Sequence, residues 1–130
     1  MILGIGIDIV EIERVKKSVL KYDQLFLSKI YTEKEIEYCL TKKNKYQHLA
    51  ARFAAKEAIS KALATGWSKG FRWKDVEIFN EKSGMPNVIL KGNLKNFLGD
   101  QKSLKITMSH SELYVTCFAI IYSKNNGFSQ

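Results

Sequence analysis

No stretch of this 130-residue chain is long and apolar enough to span a bilayer. The apolar opening, residues 1–10, is too short, is interrupted by Asp8 and lacks the basic start of a signal peptide. The cytoplasm is therefore the expected compartment, with no membrane partner. Cysteine is scarce. Cys39 and Cys117 have no metal-ligand spacing around them and no disulfide framework, so both read as buried free thiols. Repeats and low-complexity linkers are missing too, which excludes solenoids and strings of domains. Residues 1–123 read as one compact domain and 124–130 as a polar tail. Acid is the rarer charge, 13 Asp and Glu against 21 Lys and Arg, for a net charge of +8. The lysines are dispersed from Lys16 to Lys124, which leaves three partner classes: nucleic acid, a phosphate-rich small molecule or an acidic protein.

What is present reads as α+β. Residues 2–10, rich in Ile and Val, predict a buried strand in which Gly4 and Gly6 mark close backbone approach or a bend. From Glu11 the apolar period becomes helical, through Ile12, Val15, Val19 and Leu20. Residues 25–30 fit neither pattern cleanly. Thr32-Glu33-Lys34-Glu35 has the form of a capping box opening a helix with Ile36 and Leu40. Asn44 is placed to cap a long central helix running to about Thr65 and stopped at Gly66. Two strands follow, around Val76 and Ile78 and at 86–90, with Glu81-Lys82-Ser83-Gly84 as their turn. A short helix at 92–98 and a closing strand pair around His110 complete an antiparallel sheet packed with the long helix.

Asp8 poses the chemical question, because a carboxylate in an apolar strand needs a partner. The central helix offers Glu57 and Lys61 on one stripe with Ala50, Ala54 and Ala64, beside an apolar stripe of Leu49, Phe53 and Leu63. Taken alone, Glu57 and Lys61 are an ordinary i,i+4 surface pair worth a few tenths of a kcal/mol. With Asp8 they become two carboxylates and an ammonium. That set suits Mg²⁺, a small hard ion that takes few protein oxygens and keeps waters and phosphates, with Lys61 turned toward phosphate.

Gly6-Ile7-Asp8-Ile9-Val10-Glu11-Ile12-Glu13-Arg14 and Arg52-Phe53-Ala54-Ala55-Lys56-Glu57-Ala58 with the trailing Lys61 resemble the holo-(acyl-carrier-protein) synthases, small bacterial 4'-phosphopantetheinyl transferases. Phe71 and Trp73, Gly84-Met85-Pro86 and Ser109-His110-Ser111 line up in the same order, so the resemblance covers residues 4 to about 121. Met85 and Met108 depart from the usual pattern without touching the acidic pair. The resemblance implies transfer of 4'-phosphopantetheine from coenzyme A to a serine of apo acyl carrier protein in fatty acid biosynthesis, releasing adenosine 3',5'-bisphosphate. It implies Mg²⁺ on Asp8 and Glu57, with Asp8, Glu57 and Lys61 catalytic and Lys61 also on phosphate. The serine proton goes to Glu57 or to water at the metal; the residues leave both open.

His110 is expected in the coenzyme A pocket, its alternative being a hydrogen-bonded turn histidine. Gly84 and Pro86 shape the backbone against the nucleotide, or simply make a turn. Arg52 and Lys56 reach nucleotide phosphates, or are solvated helix charges. Arg14, then Lys17 and Lys21, form the docking stripe for an acidic carrier, or the wet face of an amphipathic helix. The resemblance also implies a homotrimer with sites between subunits. The rival class, a nucleic-acid module using Phe71 and Trp73 as a stacking platform, finds dispersed charge and no nucleic-acid motif.

Overall fold

The computed structural model describes residues 1–63 and 71–124. The expected end of the central helix at Thr65 and Gly66, and residues 125–130 of the tail, lie outside the described residues. In chain order the elements are β1 (Ile2–Glu11), α1 (Ile12–Tyr22), α2 (Gln24–Ile30), α3 (Glu33–Leu40), α4 (Lys45–Leu63), a 3-10 turn (Trp73–Asp75), β2 (Val76–Asn80), β3 (Pro86–Leu90), α5 (Gly92–Leu98), β4 (Lys102–His110) and β5 (Tyr114–Ser123). Three strands form an antiparallel sheet in the order β1-β5-β4, and β2-β3 is a separate hairpin. Helix α4 lies across one face of the three-stranded sheet, against β1 and β5.

Most of the sequence expectations hold. Thr32 accepts from the Glu35 amide while the Glu35 carboxylate accepts from the Thr32 amide, a complete capping box. Asn44 stands just before α4, but its side chain does not cap the helix amides: its Nδ2 donates to the side-chain Oε1 of Gln47 at 2.6 Å. The unassigned residues 25–30 are helical because Leu27 and Ile30 share a buried side. Cys39 and Cys117 are buried and unbridged.

One expectation is reversed. β1 is not buried on both faces: Ile5, Ile7 and Ile9 are 60%, 61% and 66% exposed. The even positions, Gly4, Gly6 and Asp8, face α4 instead. A Cβ on Gly4 would overlap the carbonyl oxygen of Ala62, and one on Gly6 would overlap that of Ala58. Two missing side chains thus let a helix backbone lie directly on a strand. Helix α4 answers with small residues: Ala50, Ala54, Ala55, Ala58 and Ala62 are buried around it. That close approach brings Asp8, the next inward residue of β1, within reach of the helix.

Candidate active site

Asp8 is held from both sides. Its backbone carbonyl accepts from Thr116 Oγ1 at 2.8 Å across the β1–β5 ladder. Its carboxylate Oδ1 accepts from Lys61 Nζ at 3.2 Å, and the same ammonium donates to the Ile7 carbonyl at 2.9 Å. With the Lys61 side chain 54% exposed, this ion pair contributes less than about 1 kcal/mol to stability. It is an aimed charge more than a brace.

Glu57 lies one turn before Lys61 on the same helix stripe. It shares a cavity of about 210 Å³ with Asp8, Arg14, Ser18, Phe26 and Phe53. Burial, then the Asp8 charge, push the Glu57 carboxyl above its usual value, and Lys61 opposes them only in part. Two carboxylates face one cavity, and the Asp8 charge acts on Glu57 more strongly than Lys61 does. A divalent cation relieves that repulsion, and one or two carboxylates with open positions for water and phosphate are what Mg²⁺ accepts. The residues therefore fit the metal. They are two in number, and no group of three or more His, Cys, Asp or Glu that could hold an ion occurs among the described residues.

The three basic residues expected to form a docking stripe lie on α1. Arg14 lines the cavity, and Lys17 and Lys21 follow it at helical spacing along α1, all three exposed. Sequence reading missed Ser18 and Phe26 in the cavity wall and Thr116 behind Asp8. Ser18 and Phe26 carried no charge pattern to reveal them, and Thr116 is found only once β1 and β5 are in register.

A second group of expected residues gathers around the β2-β3 hairpin. Arg52 Nη2 donates to Asn80 Oδ1 at 3.0 Å, and Asn80 Nδ2 donates to the Gly84 carbonyl at 3.1 Å, with Pro86 opposite Asn80 in the ladder. Gly84 takes a φ of 92°, which closes the turn. Arg52 is not a solvated helix charge. It is buried, its guanidinium sits 4.5 Å over the Tyr38 ring, and its Nε has no partner among the described residues. Beside it is a cavity of about 320 Å³ that Lys34, Tyr38 and Asn80 also line. His110 ends β4, exposed. His48 is pulled below its usual value by burial, then by the charges of Arg52, Lys42 and His110.

Lys56 overturns its expectation. It points into the interior at 0% exposure, and its ammonium donates to the Ile30 carbonyl, to Glu35 and to the Trp73 carbonyl at 2.7, 2.7 and 3.0 Å. All three protons are used, leaving none for a phosphate. Trp73, offered as part of a nucleic-acid platform, is stacked on Phe53 at 5.3 Å and meets Phe71 edge-on at 5.5 Å. Its ring is part of the interior packing.

Comparison with known proteins agrees with this geometry. The family model of the 4'-phosphopantetheinyl transferase superfamily matches residues 4–119. A holo-(acyl-carrier-protein) synthase of Protochlamydia amoebophila is 48% identical over 120 residues, covering 92% of this chain and 98% of that one. The crystal structure of the synthase from Neisseria meningitidis superposes with a TM-score of 0.85 at 32% identity, over 95% of this chain and 100% of that one. The Helicobacter pylori synthase in complex with coenzyme A superposes with a TM-score of 0.78 at 31% identity, over 91% and 99% of the two chains. The chain belongs to the 4'-phosphopantetheinyl transferase superfamily and, within it, to the holo-(acyl-carrier-protein) synthases.

Proposed function

We propose that the protein transfers 4'-phosphopantetheine from coenzyme A to a serine hydroxyl of an acidic apo acyl carrier protein in the cytoplasm, releasing adenosine 3',5'-bisphosphate for fatty acid biosynthesis. The observation that carries this is the meeting of Asp8 and Glu57 at one cavity that Arg14 also lines, with Lys61 paired to Asp8. Asp8 and Glu57 would hold Mg²⁺, which supplies charge neutralisation and alignment for the pyrophosphate. The chain's own residues do the rest. Lys61, anchored by the Ile7 carbonyl and still half-exposed, presents positive charge to phosphate oxygens. Glu57, or a water held with the metal, would accept the serine proton. The nucleotide half is assigned to Arg52 and the Gly84-Met85-Pro86 turn, with His110 at the end of β4. The buried Arg52 is held ready there by Asn80 and Tyr38.

The direct test is incubation of apo carrier, coenzyme A and Mg²⁺ with the protein, followed by intact mass of the carrier. A gain of one phosphopantetheine, lost on chelation of the metal, is the expected outcome. An unmodified carrier under those conditions ends the proposal. Arg14→Ala is expected to raise the carrier KM about tenfold while the coenzyme A KM stays within about twofold. An unchanged carrier KM moves docking off α1.

A homotrimer is part of the same proposal, and the outward face of β1 supports it. Ile5, Ile7 and Ile9 form an exposed apolar row on an edge strand, continued by half-buried Phe118 and Ile120 of β5. Monomers seldom leave such a row in water. Sedimentation should show three-chain mass for the wild type and one-chain mass for Ile7→Lys; a monomeric wild type would refute the assembly.

A further inference from the structure

Lys56 is the immediate neighbour of Glu57, yet the two side chains leave α4 about 100° apart, one to the cavity side and one to the interior. Its three bonds go to three different segments: the end of α2 through Ile30, the first turn of α3 through Glu35, and the 3-10 turn through Trp73. Glu35 extends the joint. Its Oε1 also accepts from the Thr32 amide at 2.9 Å, and its Oε2 accepts from the Ile78 amide of β2 at 2.8 Å. One ion pair with both side chains at 0% exposure thus ties α2, α3, α4, the 3-10 turn and β2.

Two of the tied segments carry aromatic rings that bracket a third. Phe26 of α2 lies 6.4 Å from Phe53, at 21° between planes, and Trp73 lies 5.3 Å from it, at 26°. Phe53 precedes Glu57 by one turn, and Phe26 and Phe53 line the cavity that contains the acidic pair. An ion pair buried this completely contributes little net stability compared with a well-packed apolar pair, because desolvation offsets most of its attraction. Its distinctive property is direction. It fixes where α2 and the Trp73 turn sit relative to α4, and hence where the aromatic wall stands.

We propose that the Lys56–Glu35 pair is a positioning element for the reaction: it sets the Phe26–Phe53–Trp73 stack, two of whose rings wall the cavity beside Asp8 and Glu57, and so acts on the transfer step through the placement of that wall. The kinetic part rests on the transferase reading above; the placement of the stack does not.

The test is the paired apolar variant Glu35→Leu/Lys56→Met, which leaves neither charge stranded. It is made in a Trp67→Phe background so that Trp73 is the sole tryptophan. A variant that still unfolds cooperatively should show red-shifted Trp73 emission. Its kcat should fall at least about tenfold, since misplacement by about 1 Å costs that and more. Unchanged Trp73 emission or an unchanged kcat would overturn the proposal. If the paired variant does not fold, Glu35→Gln is read by the same criteria and decides. Absence of transfer by the parent protein would sink the transferase reading, while the emission result would still judge the stack.

Discussion

Replacing Asp8 or Glu57 by alanine is expected to cut carrier modification by at least about 10³-fold, with the fold intact. The intact fold follows from what each side chain does. Asp8 has a half-exposed lysine as its direct ionic partner, so removing its carboxylate costs under about 1 kcal/mol. Its strand position is held by backbone pairing to β5 and by the Thr116 hydroxyl, neither of which needs the side chain. Glu57→Ala goes further, placing the best helix former in α4 and removing a carboxylate whose charge burial, then Asp8, disfavour. Both variants should therefore unfold at or near the wild-type temperature while failing in the mass assay. Turnover by either variant within about tenfold of wild type would remove the acidic pair from the chemistry.

Gly6→Ala is expected to have the opposite profile, a large loss of stability from a single methyl group. The new Cβ would overlap the Ala58 carbonyl oxygen and come within 2.8 Å of the Ala62 amide nitrogen. These are backbone atoms in the middle of α4, so no side-chain rotation can make room. Overpacking of this kind costs about 1–3 kcal/mol, and the upper end applies where helix and strand must separate. A melting temperature lower by about 10 °C would follow. Gly84→Ala is the control. Its Cβ meets nothing within 4 Å, and only the positive φ is strained, so the loss should be about 1 kcal/mol. Equal melting temperatures for Gly6→Ala and the wild type would mean that β1 and α4 are not in backbone contact. Because that contact delivers Asp8 to Lys61, the Gly6 variant should also lose activity, this time together with stability.

Much of this was legible in the sequence, and the illegible part has a common cause. The capping box at Thr32, the 86–90 strand and the turn before it are local patterns, which residue types impose on their own neighbours. The acidic pair was legible because a carboxylate in an apolar strand is costly enough to demand an explanation. Inward and outward were not legible along α4 and β1. Alanine surrounds α4, so nothing in its spacing separates Lys61, which reaches the cavity side, from Lys56, which is sealed inside. In β1 the isoleucines alternate with glycine and aspartate. The usual rule puts isoleucine inward, but the packing partner here is a bare helix backbone, which glycine fits and isoleucine does not. Glu35 was read as a cap. It is one, and it also neutralises a buried lysine from an element that begins ten residues later.

The two thiols carry a practical consequence. Burial pushes Cys117 up to about 12 and Cys39 to about 11, so thiolate, the form that alkylating reagents attack, is nearly absent at neutral pH. Cys117 is also the ladder partner of Asp8. Cys117 lies on the sheet face that α4 covers, so reagent reaches it when the helix lifts from the strands, and its alkylation rate becomes a clock for opening of the contact that carries Asp8, with Cys39 on α3 timing the other side of the core.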